Sequence, residues 1–181
     1  MSVEAVITQA MDLVRGVAGS VIECGIGEGR SAMAILEAVR PTDRKVYLVD
    51  SFNGLPDISV EDGCSSVFYT GQYRCDPDRI KRILGGYKDI RNMNIFAGVI
   101  PEFLYGLADN NFAFAHVDLD LYKGTIGALK FIVPRLSRWG GFLLVHDISQ
   151  EGVAKAVKEY FKIDNLSWGL LDADYWGFVR L

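Results

Sequence analysis

The chain opens with apolar residues at Val3, Val6, Ile7, Ala10, Met11 and Val14. Steps of three and four put them on one face of an amphipathic helix. The pattern then changes period. "SVIECG" is a short β-branched run that stops at a glycine, and "KVYLVD" is a second run ending at Asp50. Between them "RSAMAILEAV" returns to helical spacing and is closed by Pro41, which cannot continue a helix and biases its neighbour away from one. "MNIFAG", "FAFAHVDLD" and "GGFLLVHDI" predict three more strands. "DPDRIKRIL", "TIGALKFIVPRL" and "QEGVAKAVKEYFK" predict the helices among them, the first with Asp76 as N-cap and Pro77 at its opening position. The end, "LSWGLLDADYWGFVRL", predicts two strands joined at "DAD" as a hairpin.

Strands alternating with helices imply a doubly wound α/β domain with a mostly parallel sheet. From about residue 53 to 76 neither period holds, and Gly, Pro, Asp and Ser gather with Phe68, Tyr69 and Tyr73. A stretch this long without periodicity predicts a lid-like insertion into one domain spanning residues 1–181. The alternative is a loop whose aromatics pack on the core.

Composition narrows the classes. The chain has 181 residues, half of them apolar, and a net charge of -4. That is enough for one domain with a full core. No basic run suggests a nucleic-acid partner, and no apolar run approaches the roughly 18 residues of a membrane span. Three cysteines, Cys24, Cys64 and Cys75, without a leader-like start predict a cytoplasmic protein with reduced thiols; a Cys64–Cys75 loop disulfide is the alternative.

Every chemically interesting residue falls at the end of a predicted strand: Glu23 to Gly29, Asp50, Gly98, Asp118, and His146 with Asp147. Ligands of open α/β sheets bind at those ends. "VIECGIGEGRSAM" places Gly25, Gly27 and Gly29 at alternate positions before a helix. Glycines there allow positive φ and close approach of a ligand. A dinucleotide wants G-x-G-x-x-G. An acid two residues before the first glycine suits instead a ligand bearing an ammonium or a sulfonium, such as S-adenosylmethionine, with Asp50 accepting the ribose hydroxyls. A plain tight turn with a capped Glu23 is the alternative.

"HVDLDLYKGT" and "LLVHDIS" put Asp118 and Asp120 on one strand end and His146 and Asp147 on the next. Neighbouring strands lie about 5 Å apart, so these groups can converge on one cation. Oxygen donors with an imidazole suit Mg²⁺, Mn²⁺ or a similar divalent ion. Such an ion lowers the pKa of a bound hydroxyl. Alternatively Asp118 caps the next helix and His146 is a satisfied core histidine. His116, deeper on its strand, reads as structural.

At these residues the chain resembles the macrocin O-methyltransferase family, the sugar O-methyltransferases of macrolide and aminocoumarin biosynthesis. The resemblance rests on "ECG" with "GRSAM" at 23–33, "VYLVDSFNGLP" at 46–56, "HVDLDLYKGT" at 116–125 and "VPRLSRWGGFLLVHD" at 133–147. It implies a Rossmann-like, mostly parallel seven-stranded sheet with a C-terminal antiparallel hairpin. It also implies methyl transfer from S-adenosylmethionine to a hydroxyl of a sugar or other small molecule, commonly with magnesium. By position, Glu23, Gly25 and Ser31 would line the cofactor's amino acid end, with Gly27 and Gly29 in the same loop. Asp50 would hold the ribose, with Ser51 and Phe52 beside the adenosine. Asp118 and His146 would be catalytic, and Asp118, His146 and Asp147 the metal ligands. The family usually has two adjacent acids where this chain has His146-Asp147, and it often carries extra N-terminal helices that shape the acceptor pocket. A homodimer could compensate for their absence. Two other readings remain: a cofactor-binding protein without metal-dependent catalysis, and an NAD-binding oxidoreductase.

Overall fold

The computed structural model describes residues 2–63, 67–107, 111–162, 170–171 and 176–180. Helix α1 (Val3–Leu13) buries Val6, Ile7, Ala10 and Met11, and the Ser2 side chain accepts the Ala5 N–H at its start. Strand β1 (Ser20–Cys24) leads into α2 (Arg30–Val39), β2 (Val46–Asp50), α3 (Pro77–Leu84) and β3 (Met93–Ala97). Then come β4 (Phe112–Val117), α4 (Tyr122–Ile132), β5 (Phe142–His146) and α5 (Glu151–Phe161). Two further strands, β6 (Leu170–Leu171) and β7 (Trp176–Arg180), close the chain. The predicted "DAD" turn lies outside the described residues.

Strand order is β3-β2-β1-β4-β5-β7-β6. The first five run parallel; β7 lies antiparallel to β5 and pairs with β6. Chain order reverses between β1 and β4, so the switch point lies between their carboxyl ends. The parallel strands are apolar on both faces because helices cover both. On β1 and β5, Val21, Phe142 and Leu144 pack in one cluster with α1, α2 and α3. Ile22, Leu143 and Val145 pack in the other with α4 and α5. This is the two-residue alternation of a strand split between two layers. Among the described residues no helix is long and apolar enough to cross a membrane.

Among the described residues, the segment between β2 and α3 is irregular apart from a 3₁₀ turn, Val60–Asp62. It is nonetheless fastened to the body. Asp62 is 5% exposed. Its Oδ2 accepts from the Ser59 N–H at 2.9 Å and hydroxyl at 2.6 Å, and its Oδ1 accepts from the Tyr122 N–H at 2.7 Å. Leu121, the N-cap residue of α4, has no capping side chain. A carboxylate from the insertion therefore does that work across the fold, where anions are favoured at helix starts.

Candidate functional site

A cleft of about 690 Å³ opens along the carboxyl ends of the parallel strands. Its wall includes Gly25, Gly27, Ser31, Asp50, Ser51 and Gly98 on one side and Asp118, His146 and Asp147 on the other. The volume falls among the roughly 300–1,000 Å³ of small-molecule sites.

The glycine loop is built largely by the protein itself. A Cβ on Gly25, at φ +90°, would collide with the Asp118 carbonyl. The loop crosses under the β4 end there: Asp118 N–H donates to the Cys24 carbonyl and Gly25 N–H to that of Val49, at 2.8 and 2.9 Å. Main-chain packing, not a ligand, excludes a side chain at Gly25. Gly27 differs, having φ +52° but open space where its Cβ would be. Gly29 takes φ 88° as the N-cap of α2 and does not line the cleft. At Gly98 a Cβ would meet the Phe103 ring.

Asp50 ties the loop to β2. Its Oδ2 accepts the Ile26 and Gly27 N–H groups at 2.7 and 3.0 Å, and its Oδ1 accepts that of Phe52 at 2.7 Å. A carboxylate has about four acceptor sites, so roughly one is left for a ligand hydroxyl rather than the pair expected. The Ser51 hydroxyl, too, is engaged in a turn, donating to the Gly54 carbonyl at 3.2 Å.

Two expected wall residues stand behind the wall. Glu23 is fully buried, and its Oε1 meets His116 Nδ1 at 2.9 Å, since strand register sets the two residues side by side. Burial pushes the Glu23 carboxyl up, opposed by hydrogen bonds from His116 and Ser31. Phe52 sits at φ 57°, a left-handed turn that sends its ring into the α1–α3 core.

Opposite the loop, His146 Nδ1 lies 3.1 Å from Asp118 Oδ1 and 3.2 Å from Asp147 Oδ2. One ligand atom from each of the three residues falls within 4.8 Å of the others. Partial burial pushes the His146 imidazole down, but the two carboxylates outweigh it and bring it up to about 10. Burial pushes Asp118 up as well, yet His146 holds it below the ordinary carboxyl range. Asp120, one turn on at φ 60°, is pushed up to about 8 by burial and by the charges of Asp118 and Asp147. Such divergence among neighbouring acids is characteristic of functional sites.

Tyr73 and Arg74 from the lid-like insertion also line the cleft, and pattern reading missed a further part of the wall, Asp76 and Arg79 from the start of α3. The Asp76 side chain caps α3 through the Asp78 N–H at 2.9 Å, and that cap was the one sequence signal available. Cys24 and Cys75 are free thiols; the Cys64–Cys75 pairing falls on Cys64, outside the described residues.

Comparison with known proteins bears on the family and the fold. The model of the macrocin-O-methyltransferase family matches residues 2–180. The chain is 28% identical over 157 residues to 8-demethyl-8-(2,3-dimethoxy-alpha-L-rhamnosyl)-tetracenomycin-C 4'-O-methyltransferase of Streptomyces olivaceus, covering 82% of this chain and 60% of that protein. It is 28% identical over 176 residues to mycinamicin III 3''-O-methyltransferase of Micromonospora griseorubida, covering 89% and 69%. The chain thus spans well under the full length of these relatives. Among solved structures, the calicheamicin methyltransferase CalS11 superposes with a TM-score of 0.84 at 20% identity, over 98% of this chain and 77% of that one. The O-methyltransferase NovP superposes at 0.75 and 24% identity, over 96% and 78%. These likenesses show a Rossmann-like α/β methyltransferase fold.

Proposed function

This chain belongs to the macrocin O-methyltransferase family, and we propose that it moves a methyl group from S-adenosylmethionine to a hydroxyl of a sugar or other small molecule. The observation that carries the reading is the shared cleft. The glycine loop with Asp50 forms one wall and the Asp118–His146–Asp147 group the other, on either side of the switch point. Both relatives are named as O-methyltransferases, and the Streptomyces olivaceus enzyme is named for a rhamnosyl-bearing substrate, which supports a sugar hydroxyl as acceptor.

The wall fits the cofactor. Gly27 leaves its Cβ position open beside the cleft, and Asp50 keeps about one acceptor site for a ribose hydroxyl. Glu23 acts from behind the loop, shaping it together with His116. When bound, S-adenosylmethionine supplies an electrophilic methyl carried on a sulfonium. The second wall fits a divalent ion, with Asp118, His146 and Asp147 as the holders; bound there, the ion would supply charge stabilisation for an acceptor oxygen. The protein's own contribution is orientation. The two walls fix the donor and acceptor positions, and the insertion, fastened through Asp62, adds Tyr73 and Arg74 to the lining. Positioning of this kind accounts for much of the rate in displacement reactions.

The test is turnover of S-adenosylmethionine with a panel of deoxysugar glycosides, read by mass spectrometry and by release of S-adenosylhomocysteine. One added methyl on oxygen is expected, with Asp118→Ala lowering the rate by about 10²–10³. Methylation at nitrogen or carbon, or full activity in Asp118→Ala, would contradict the proposal.

A further inference from the structure

We infer that the Asp118–His146–Asp147 group selects a first-row transition ion that takes nitrogen directly, of the Mn²⁺, Co²⁺ or Zn²⁺ kind, over Mg²⁺. The inference rests on the methyl-transfer reading of the same cleft and goes beyond it in naming the ion class.

The donor set is mixed. Two carboxylate oxygens flank one imidazole nitrogen, Nδ1, at 3.1 and 3.2 Å. Adjacent donors around an octahedral ion with bonds of about 2.1 Å stand about 3.0 Å apart. Around a tetrahedral ion with bonds of about 2.0 Å they stand about 3.3 Å apart. The spacing observed lies between the two. Nδ1 points at both carboxylates, so the hydrogen it shares with them marks where a cation would be held.

The ligands are held by main chain. Asp118 N–H is bonded to the Cys24 carbonyl, and the Asp147 carbonyl accepts the Gln150 N–H at 2.9 Å. His146 ends β5 in register with Trp176 of β7. Its neighbour Val145 is in register with Val117 of β4. One ligand atom from each residue already lies within 4.8 Å of the others, and all three residues line the cleft.

Mg²⁺ prefers oxygen, keeps several waters and gains little from an imidazole. Later first-row ions gain more from nitrogen, in the order Mn²⁺ < Fe²⁺ < Co²⁺ < Ni²⁺ < Cu²⁺ > Zn²⁺. An imidazole in place of a third carboxylate also removes one negative charge, which costs Mg²⁺ most because its binding is chiefly electrostatic. Both effects push selectivity the same way.

The experiment is calorimetric titration of the full chain with Mg²⁺, Mn²⁺ and Co²⁺, together with electron spin-echo spectroscopy of the Mn²⁺ form. Co²⁺ is expected to bind at least about 100-fold more tightly than Mg²⁺, and the Mn²⁺ signal to show nitrogen modulation from a bound imidazole. In His146→Asp the nitrogen modulation should vanish and the Co²⁺/Mg²⁺ ratio should fall by about tenfold or more. Mg²⁺ binding within tenfold of Co²⁺, absence of nitrogen modulation in the wild-type protein, or no divalent binding would each overturn the inference. The wild-type spectrum does not depend on the variant folding. S-adenosylhomocysteine titrated without metal separates the two claims: if it binds while the ion results fail, only the ion class is lost. If it does not bind, the methyl-transfer reading fails whatever the ions do.

Discussion

The two walls of the cleft are built in opposite ways. On the glycine-loop side Asp50 is held by three backbone N–H groups, with about one acceptor site left over. On the other side Asp118, Asp120, His146 and Asp147 answer chiefly to one another: burial and then the charges of Asp118 and Asp147 drive Asp120 up to about 8, and the same two carboxylates bring His146 up to about 10. Two of these residues, Asp120 and Asp147, sit at positive φ, a conformation that costs non-glycine residues on the order of 1–3 kcal/mol. The loop wall is preorganised by main chain. The acid wall concentrates charge that a bound cation can offset. The first should tolerate little change in shape, and the second little change in charge.

The sharpest way to break this contrast is at the point where the walls touch. Gly25→Ala drives a Cβ into the Asp118 carbonyl at φ +90°. It should destabilise the protein by about 4 kcal/mol or more, measured by chemical denaturation. Gly27→Ala, with open space at φ +52°, should cost only about 1–2 kcal/mol. A similar cost at both positions would mean the loop is not pinned by β4.

The next largest effect concerns the anchor of the insertion. Asp62→Ala removes three accepted hydrogen bonds, one of them the side-chain acceptor at the start of α4. A loss of about 2 kcal/mol is expected, with the KM for the acceptor rising more than that for S-adenosylmethionine. An equal rise in both would show that the insertion serves the two walls alike.

The smallest effect lies beneath the loop. Burial raises the Glu23 carboxyl above its ordinary 4.5. Between 4.5 and the raised native value, the folded state keeps a proton that the unfolded state has released. This group's contribution to stability is therefore full below that window and declines as pH climbs through it. Glu23→Gln, which cannot titrate, should flatten that decline in denaturation midpoints measured from pH 4 to 8. An unchanged slope would remove Glu23 as its source.

What could be read from the sequence follows from what is local. The parallel strands announced themselves as apolar runs ending at a polar residue, and Asp50, Asp118, His146 and Asp147 reached the cleft because those ends are where an α/β sheet opens. The burial of Glu23 was not legible because it depends on a neighbour 93 positions away, His116, brought alongside by strand register. The anchoring role of Asp62 had no local signal for the same reason: the α4 N–H it caps lies 60 positions on. Phe52 followed an adenosine-side expectation until one left-handed residue turned it into the core. Gly25 was recognised as obligatory, but its cause, a passing carbonyl, is tertiary.

The central claim is that the loop wall receives S-adenosylmethionine and not a dinucleotide. Calorimetric titration of the wild-type chain with S-adenosylhomocysteine, S-adenosylmethionine and NAD tests it most directly. The expected result is one-to-one binding of the first two and none of NAD; binding of NAD alone would contradict the account.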